Sequence, residues 1–292
     1  MLYLIATPIG NLEDFSFRSV KTLLLCDYIL CEDTRKSLCL LKHYKIEKPI
    51  KPFHQFNEKK KEKKVLEDIK KGLNIALISD AGMPTISDPG IDLIKKCIEK
   101  DLPFTVIPGA SSILNALVLS GMPNEPFQFV GFIPKKEKEK EKFLKKILCY
   151  EGISISFESP HRLIKTLLIL NEISIPSCSY PFSSVSSSSC SLSSSLSSIS
   201  SCSIVICREM TKKFEEIFRG TPAEGIEHFQ KKVLKGEIVL LIQGKMTKKS
   251  YSLNDLLSLL QKEGLSKKSA TKIASKILKL PKKTIYKKIM GE

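Results

Sequence analysis

The sequence predicts an α/β protein, with two α/β domains followed by a small helical extension. Three observations carry that reading. Short apolar runs alternate with amphipathic segments from the first residues onward, the pattern of a sheet with crossover helices. The alternation resumes after Gly121-Met122-Pro123, which places domains at 1–121 and 122–244. Composition then shifts at Lys245: residues 245–292 hold 13 Lys against Asp255, Glu263 and Glu292, a net of +10 within a whole-chain charge of +16. The length of 292 residues suits two such domains, and 42% hydrophobic content is enough for two cores.

Residues 2–6 read as the first strand, a short apolar run ending in the turn Thr7-Pro8-Ile9-Gly10-Asn11. A helix is predicted over 16–25, where Phe17, Val20, Leu23 and Leu24 share one face. Tyr28–Cys31 is the second strand and runs into Glu32-Asp33-Thr34-Arg35. The charged stretch 58–71 is predicted as a surface helix with Val65, Leu66 and Ile69 inward and Gly72 as its stop. Ile75–Ile78 and Phe104–Ile107 supply a third and a fourth strand. Each strand precedes a loop of Gly, Pro, Ser, Asp or Thr, and open α/β sheets bind ligands at such carboxyl-end loops.

In the second domain, strands are predicted at Phe127–Phe132, 153–157, 204–207 and 238–242, with helices at Glu137–Leu148, 161–170 and 223–234. The tail reads as short helices over 253–263, 267–278 and 284–289, punctuated by Gly264 and Pro281. Residues 174–204 stand apart, because 18 of these 31 are Ser, three are Cys and none is charged. So little bulk does not offset the entropy of ordering, so 173–204 is expected to be an exposed, flexible insertion.

Charge and cysteine usage narrow the function. Only five basic residues are Arg (Arg18, Arg35, Arg162, Arg208, Arg219), so Lys supplies nearly all the excess. A strongly basic chain points first to nucleic acid or another anionic surface. The nine Cys contain no C-x-x-C pair, which argues against a zinc ribbon or disulfide scaffold and for a reducing, cytoplasmic setting. No secretory leader is read at the start. The uncharged stretch 102–124 is broken by Pro103, Pro108, Gly109 and Pro123, and 173–207 is dominated by Ser, so neither is read as a membrane span.

The loop from Ser79 to Gly90, Ser-Asp-Ala-Gly-Met-Pro-Thr-Ile-Ser-Asp-Pro-Gly, is the most informative segment. Gly permits close backbone approach, Pro stiffens, and Asp accepts hydrogen bonds from hydroxyl or amino groups. The alternative is an ordinary strand-to-helix turn with Asp88 as a cap. Pro108-Gly109-Ala110-Ser111-Ser112 opens a helix, and its hydroxyls and N–H groups suit either a polar ligand or capping. Neither G-x-x-x-x-G-K-[ST] nor G-x-G-x-x-G occurs, so neither a P-loop nor a Rossmann dinucleotide site is supported.

Taken together, seven ordered segments carry a resemblance. They are Ala-Thr-Pro-Ile-Gly-Asn-Leu at 6–12, Cys-Glu-Asp-Thr-Arg at 31–35, the 79–90 loop, Pro-Gly-Ala-Ser-Ser at 108–112, Phe-Glu-Ser-Pro-His-Arg at 157–162, Arg-Glu-Met-Thr-Lys at 208–212 and Gly-Glu-Ile-Val-Leu at 236–240. The chain resembles the ribosomal RNA small subunit methyltransferase I family, within the tetrapyrrole methylase superfamily. The resemblance implies S-adenosyl-L-methionine held in a cleft between two α/β domains. It further implies methyl transfer to the ribose 2′-oxygen of a cytidine in 16S ribosomal RNA of the small ribosomal subunit, with a homodimer as a further expectation. Carried over residue by residue, Pro8, Gly10, Asp80, Gly82, Met83, Pro84, Ser111 and Ser112 line the donor pocket. Two positions depart from the pattern: Ala6 stands where superfamily members often have Gly, and Phe53-His54-Gln55-Phe56-Asn57-Glu58 only partly matches His-Glu-His-Asn-Glu.

A sulfonium methyl is already activated, so the expected reaction needs alignment and a proton acceptor, and no metal. Asp33, Arg35, His54, Glu58, Glu158 and His161 are the candidates on the acceptor side, with capping or ion pairing as the alternative for each. Arg35, Arg162 and Arg208 suit bidentate phosphate recognition, and a bridge to a carboxylate is again the alternative. Two other functions remain open: a tetrapyrrole methyltransferase, which needs no extended cationic surface, and an RNA-binding protein without catalysis, which needs no Gly/Pro/Asp-rich loops.

Overall fold

A computed structural model describes residues 1–123, 125–174 and 202–243, together with Thr271, Ala274, Ser275 and Ile285. The chain divides into the compact units Met1–Lys245 and Met246–Glu292. The tail helices and nearly all of the Ser-rich segment expected from sequence lie outside the described residues.

The first sheet contains β1 (Leu2–Ile5), β2 (Tyr28–Cys31), β3 (Ile50–Pro52), β4 (Ile75–Ile78) and β5 (Phe104–Ile107), all parallel and ordered β3-β2-β4-β1-β5. Helices α1 (Phe17–Leu25), α2 (Thr34–His43), α3 (Glu58–Lys70) and α4 (Ile91–Glu99) connect these strands. Side chains alternate across the pleat. Leu2, Leu4, Tyr28, Leu30, Ile75 and Leu77 meet Val65, Leu66 and Ile69 of α3 and Leu93 of α4. Ile5, Ile29, Cys31, Ala76 and Ile78 meet Leu23 of α1 and Leu40 and Leu41 of α2. Burial on both faces is why these strands read as continuous apolar runs.

Helix α5 (Ser112–Ser120) leads to the second sheet, β6 (Phe127–Phe132), β7 (Ile153–Glu158), β8 (Ser203–Arg208), β9 (Glu216–Gly220) and β10 (Ile238–Gln243), ordered β6-β7-β10-β8-β9. Only β6 and β7 run parallel; the other pairs are antiparallel. Helices α6 (Glu137–Leu148), α7 (Pro160–Ser174) and α8 (Pro222–Phe229) cover one face. The other face packs on Ile113, Ala116 and Leu117 of α5 and on Ile9 from the loop after β1. We propose a boundary near 121, across which the loop after β1 and helix α5 contribute to the core of the second sheet. One end of the second sheet carries Glu158, Ile238, Arg208 and Glu216; the other carries Ile153, Gln243, Ser203 and Gly220. Ser174, closing α7, sits against Cys202 at that other end, with Oγ and Sγ 3.1 Å apart.

Several elements differ from the sequence expectation. In α1, Leu23 is buried but Phe17 is 90% exposed and Leu24 is also exposed; Ser19 and Thr22 take the inner face instead. Their hydroxyls are satisfied locally, Ser19 with Ser16 Oγ at 2.8 Å and Thr22 donating to the Arg18 carbonyl at 2.7 Å, so burying them is tolerated. The helix expected over 223–234 ends at Phe229, and Val233 beyond it is exposed. Helix α2 and strands β3 and β9 were not anticipated. Strand β3 is an edge strand ending in Pro52, one of the few sheet positions where Pro is accepted.

Candidate active site

The carboxyl edge of β1, β4 and β5 forms one wall of a cleft. The loop after β4 is pinned to the loop after β1 by a two-way backbone pair. Thr7 N–H donates to the Gly82 carbonyl at 2.9 Å, and Gly82 N–H donates to the Thr7 carbonyl at 3.0 Å. Ser79 Oγ adds a bond to the Gly82 carbonyl at 2.8 Å. Gly82 has φ +83°, a left-handed conformation natural to glycine. Thr85 and Ser87 also have positive φ, +72° and +71°, so the loop stores strain of the kind that collects at functional sites. Its far end is held by Gly90 N–H donating to Glu58 Oε1 at 3.0 Å. A Cβ at Gly90 would lie 2.6 Å from Leu77 Cδ2. Gly109 similarly lies against Ala6, where an added Cβ would sit 2.9 Å from the Ala6 Cβ. The close approach missing at residue 6 is thus provided by its neighbour.

Asp80 accepts from Asp33 N–H at 3.1 Å and from Lys36 Nζ at 2.8 Å, which ties the loop to the start of α2. Asp33 caps α2 and grips Arg35 through Nε at 3.1 Å and Nη2 at 2.8 Å; these bonds hold its carboxyl at about 2. His54 N–H donates to Asn57 Oδ1 at 2.9 Å and the ring Nε2 meets Asn57 Nδ2 at 2.9 Å, while Nδ1 is buried without a partner among the described residues. Burial pushes the Glu58 carboxyl up, opposed by its bond from Gly90.

The second sheet supplies the opposite wall. At the end of β7, Glu158 is fully buried in a cationic network. Its oxygens accept from Ser159 N–H at 2.6 Å and Thr166 Oγ1 at 2.5 Å, pair with Arg162 at 2.6 Å, and lie 3.8 Å from the buried Lys140. Burial lowers the Lys140 pKa against the pull of Glu158. Beside it, the tight turn Glu209-Met210-Thr211-Lys212 has positive φ at Glu209 and Thr211. Glu209 Oε1 accepts from Glu237 N–H at 3.0 Å and Lys212 Nζ at 2.8 Å. A Cβ at Gly236 would fall 2.1 Å from that same oxygen. Gly10 is equally crowded, since an added Cβ would lie 2.4 Å from Lys212 Cγ, and Asn11 N–H donates to Thr211 Oγ1 at 3.1 Å. These contacts clasp the loop after β1 to the second sheet.

Two adjoining cavities of about 290 and 110 Å³ lie between the walls. Ala81, Ser112, Phe132 and Phe157 line both. The larger adds Ile9, Glu158, Ser159, Met210 and residues 236–239; the smaller adds Gly82, Met83, Asp88 and Ser111.

Of the expected donor residues, Gly82, Met83, Ser111 and Ser112 therefore line the cleft. Pro8, Gly10, Asp80 and Pro84 line neither cavity. On the acceptor side Glu158 lines the larger cavity, and exposed His161 follows the cavity-lining Pro160. Asp33, Arg35, His54 and Glu58 lie at the first sheet's edge, outside both cavities. All three distinctive arginines engage carboxylates: Arg35 with Asp33, Arg162 with Glu158, and Arg208 with Glu216 at 2.8 Å. Among the described residues no group of three or more His, Cys, Asp or Glu is arranged to hold a metal ion.

The alternative of Asp88 as a helix cap does not hold, because Gly90 occupies that position with no side-chain bond. Asp88 instead lines the smaller cavity. Burial first, then the nearby charges of Glu32 and Asp80, push its carboxyl up to about 6. Phe132, Phe157, Met210 and Gly236 also went unrecognised as cleft residues.

This architecture is that of the tetrapyrrole (corrin/porphyrin) methylases: residues 1–226 match that family, and the chain belongs to it. Within it, the chain is 39% identical over 244 residues to ribosomal RNA small subunit methyltransferase I of Thermotoga maritima, spanning 84% of this chain and 98% of that protein. It is 38% identical over 244 residues to the protein of the same name in Bacillus subtilis, covering 84% and 75%. The one in Streptococcus pyogenes serotype M3 is 35% identical over 291 residues, covering 98% and 93%. Among solved structures, a cobalamin biosynthetic enzyme, cobalt precorrin-4 methyltransferase, matches with a TM-score of 0.57 at 13% identity over 83% of this chain and 94% of that one. Uroporphyrin-III-C-methyltransferase from Thermus thermophilus matches with a TM-score of 0.52 at 16% identity, over 91% and 99%. These two likenesses concern the fold alone.

Proposed function

We propose that this chain is an S-adenosyl-L-methionine-dependent methyltransferase of small-subunit ribosomal RNA, acting on the ribose 2′-hydroxyl of a cytidine in 16S rRNA. The observation that carries the reading is the match to relatives of that name over 84–98% of the chain at 35–39% identity. The net charge of +16 favours an RNA acceptor over a tetrapyrrole, and no helix among the described residues is long and apolar enough to cross a membrane.

The residues of the cleft fit the donor. Gly82 borders the smaller cavity without a side chain to fill it, and Ser111 and Ser112 present hydroxyls and N–H groups at the start of α5. Ile9, Met210 and Val239 supply an apolar wall. The donor provides a methyl group already activated on a sulfonium. The chain must then orient the hydroxyl, exclude water and accept one proton. Asp88 is our proton acceptor, because it lines the cleft, is bonded to no side chain among the described residues and has its pKa moved toward neutrality by burial.

Incubating purified protein with methyl-labelled S-adenosyl-L-methionine and unmethylated small subunits tests this function. Label in 16S rRNA at a 2′-O-methylcytidine is the expected product. Absence of label in the RNA, or label in a supplied tetrapyrrole instead, overturns the proposal.

A further inference from the structure

Strand β6 contains one residue more than its partner. Phe129 lies opposite Ile155, so regular pairing would set residue 131 opposite Phe157; Phe132 stands there instead. The extra residue is absorbed at Gly131, whose φ is +73°. Because side chains alternate along a strand, this bulge turns Phe132 onto the face that carries Phe129 and Phe157. The three rings form a row, Phe129 to Phe157 at 5.0 Å and Phe157 to Phe132 at 5.2 Å between centroids, both edge-on. The inner two are partly buried, whereas Phe132 is 61% exposed and lines both cavities. The fold has thus given up strand regularity to hold an open aromatic ring at the cleft. The rings behind it fix its position, so little ordering remains when a flat ligand settles on it.

We propose that Phe132 is the stacking platform for an unpaired base of the RNA acceptor. The proposal rests on the RNA methyltransferase reading above and deepens it. Sequence-specific recognition of RNA works on unstacked bases laid against aromatic side chains, and an enzyme that reacts at one nucleotide must first separate it from its neighbours. The smaller cavity is lined by Phe132 and Asp88 together, so a base on the ring brings its own ribose into the space of the proton acceptor. Exposed Lys135 and Lys136 follow within four residues and suit the flanking phosphates. The competing occupant is the adenine of the methyl donor.

The test compares full-length wild type with Phe132→Leu and Phe132→Trp. Three quantities are read: KM for unmethylated small subunits, donor affinity by calorimetry, and the fluorescence quench of a short single-stranded RNA carrying 2-aminopurine. Phe132→Leu is expected to raise KM by roughly 5- to 150-fold and to abolish the quench, with donor affinity within about twofold of wild type. Phe132→Trp should retain both. The exposed ring leaves the thermal midpoint nearly unchanged, which separates the effect from misfolding. An unchanged KM and quench in Phe132→Leu overturns the platform. So does a donor affinity that falls by the same factor as the RNA interaction, which assigns the ring to adenine. If wild type transfers no methyl to small-subunit RNA while a Phe132-dependent quench persists, the function fails and the platform stands.

Discussion

Replacing Asp88 with Asn removes a charge that the folded chain holds at a disadvantage, so stability and turnover are expected to move in opposite directions. The carboxyl moves from 3.8 to about 6, through burial first and then Glu32 and Asp80. A shift of about two units corresponds to roughly 3 kcal/mol against the ionised folded state. Partial solvent exposure reduces this to about 1.5 kcal/mol. A raised carboxyl pKa means that the folded state prefers the protonated form. Below about pH 4 both folded and unfolded chains are protonated, and Asp88→Asn gains nothing. The gain grows between about pH 4 and 6 and is complete above that. For a chain of this size it corresponds to a thermal midpoint about 3–6 °C higher near pH 8. Turnover on small subunits should fall by about 10²-fold or more, with donor affinity preserved, because a proton acceptor has been lost. Calorimetric melts near pH 4 and pH 8 together with single-turnover kinetics measure both. An equal gain at both pH values, or turnover within a fewfold of wild type, would refute the reasoning.

Gly82→Val forces a β-branched side chain into a left-handed conformation at φ +83°, and we expect donor affinity to drop at least tenfold in a folded protein; calorimetry with unchanged affinity removes the loop from the donor site. Glu158→Ala strands Lys140 and Arg162 beside an empty buried position and should cost about 3–5 kcal/mol in denaturant unfolding, whereas a loss below about 1 kcal/mol means the network carries little stability. Removing residues 246–292 takes away most of the cationic excess, so RNA affinity should fall and its dependence on salt flatten, read by filter binding across a salt series. The same slope in a folded truncation assigns the RNA contacts to the remaining chain.

How far the sequence could be read depended on where each signal lay along it. Strands such as Ile75–Ile78 were legible because burial on both sides leaves an unbroken apolar run. The face of α1 was misassigned because Ser19 and Thr22 satisfy their hydroxyls within the helix, which periodicity does not register. Helix α2 was missed, its Thr-Arg-Lys-Ser start being too polar for a clear stripe. At the site, the Ser79–Gly90 loop declared itself by composition, and Gly82 and Met83 do line the cleft. Its opposite wall did not, because Phe132 reaches the cleft through a one-residue bulge and Met210 and Gly236 arrive from distant turns. Gly10 is expected in the donor pocket, whereas the group crowding it is Lys212 in the turn after β8.

The contact between Ser174 and Cys202 joins the end of α7 to the start of β8. Both residues stand at the end of the second sheet remote from Glu158 and Ile238, and they touch each other. The register of β8 against β10, which sets Arg208 opposite Ile238 at the cleft end, is made by pairings between Ser203–Arg208 and Ile238–Gln243. For the experimenter the same junction is the place to attach a fluorophore or affinity tag, since it stands at the sheet end remote from Glu158 and Ile238.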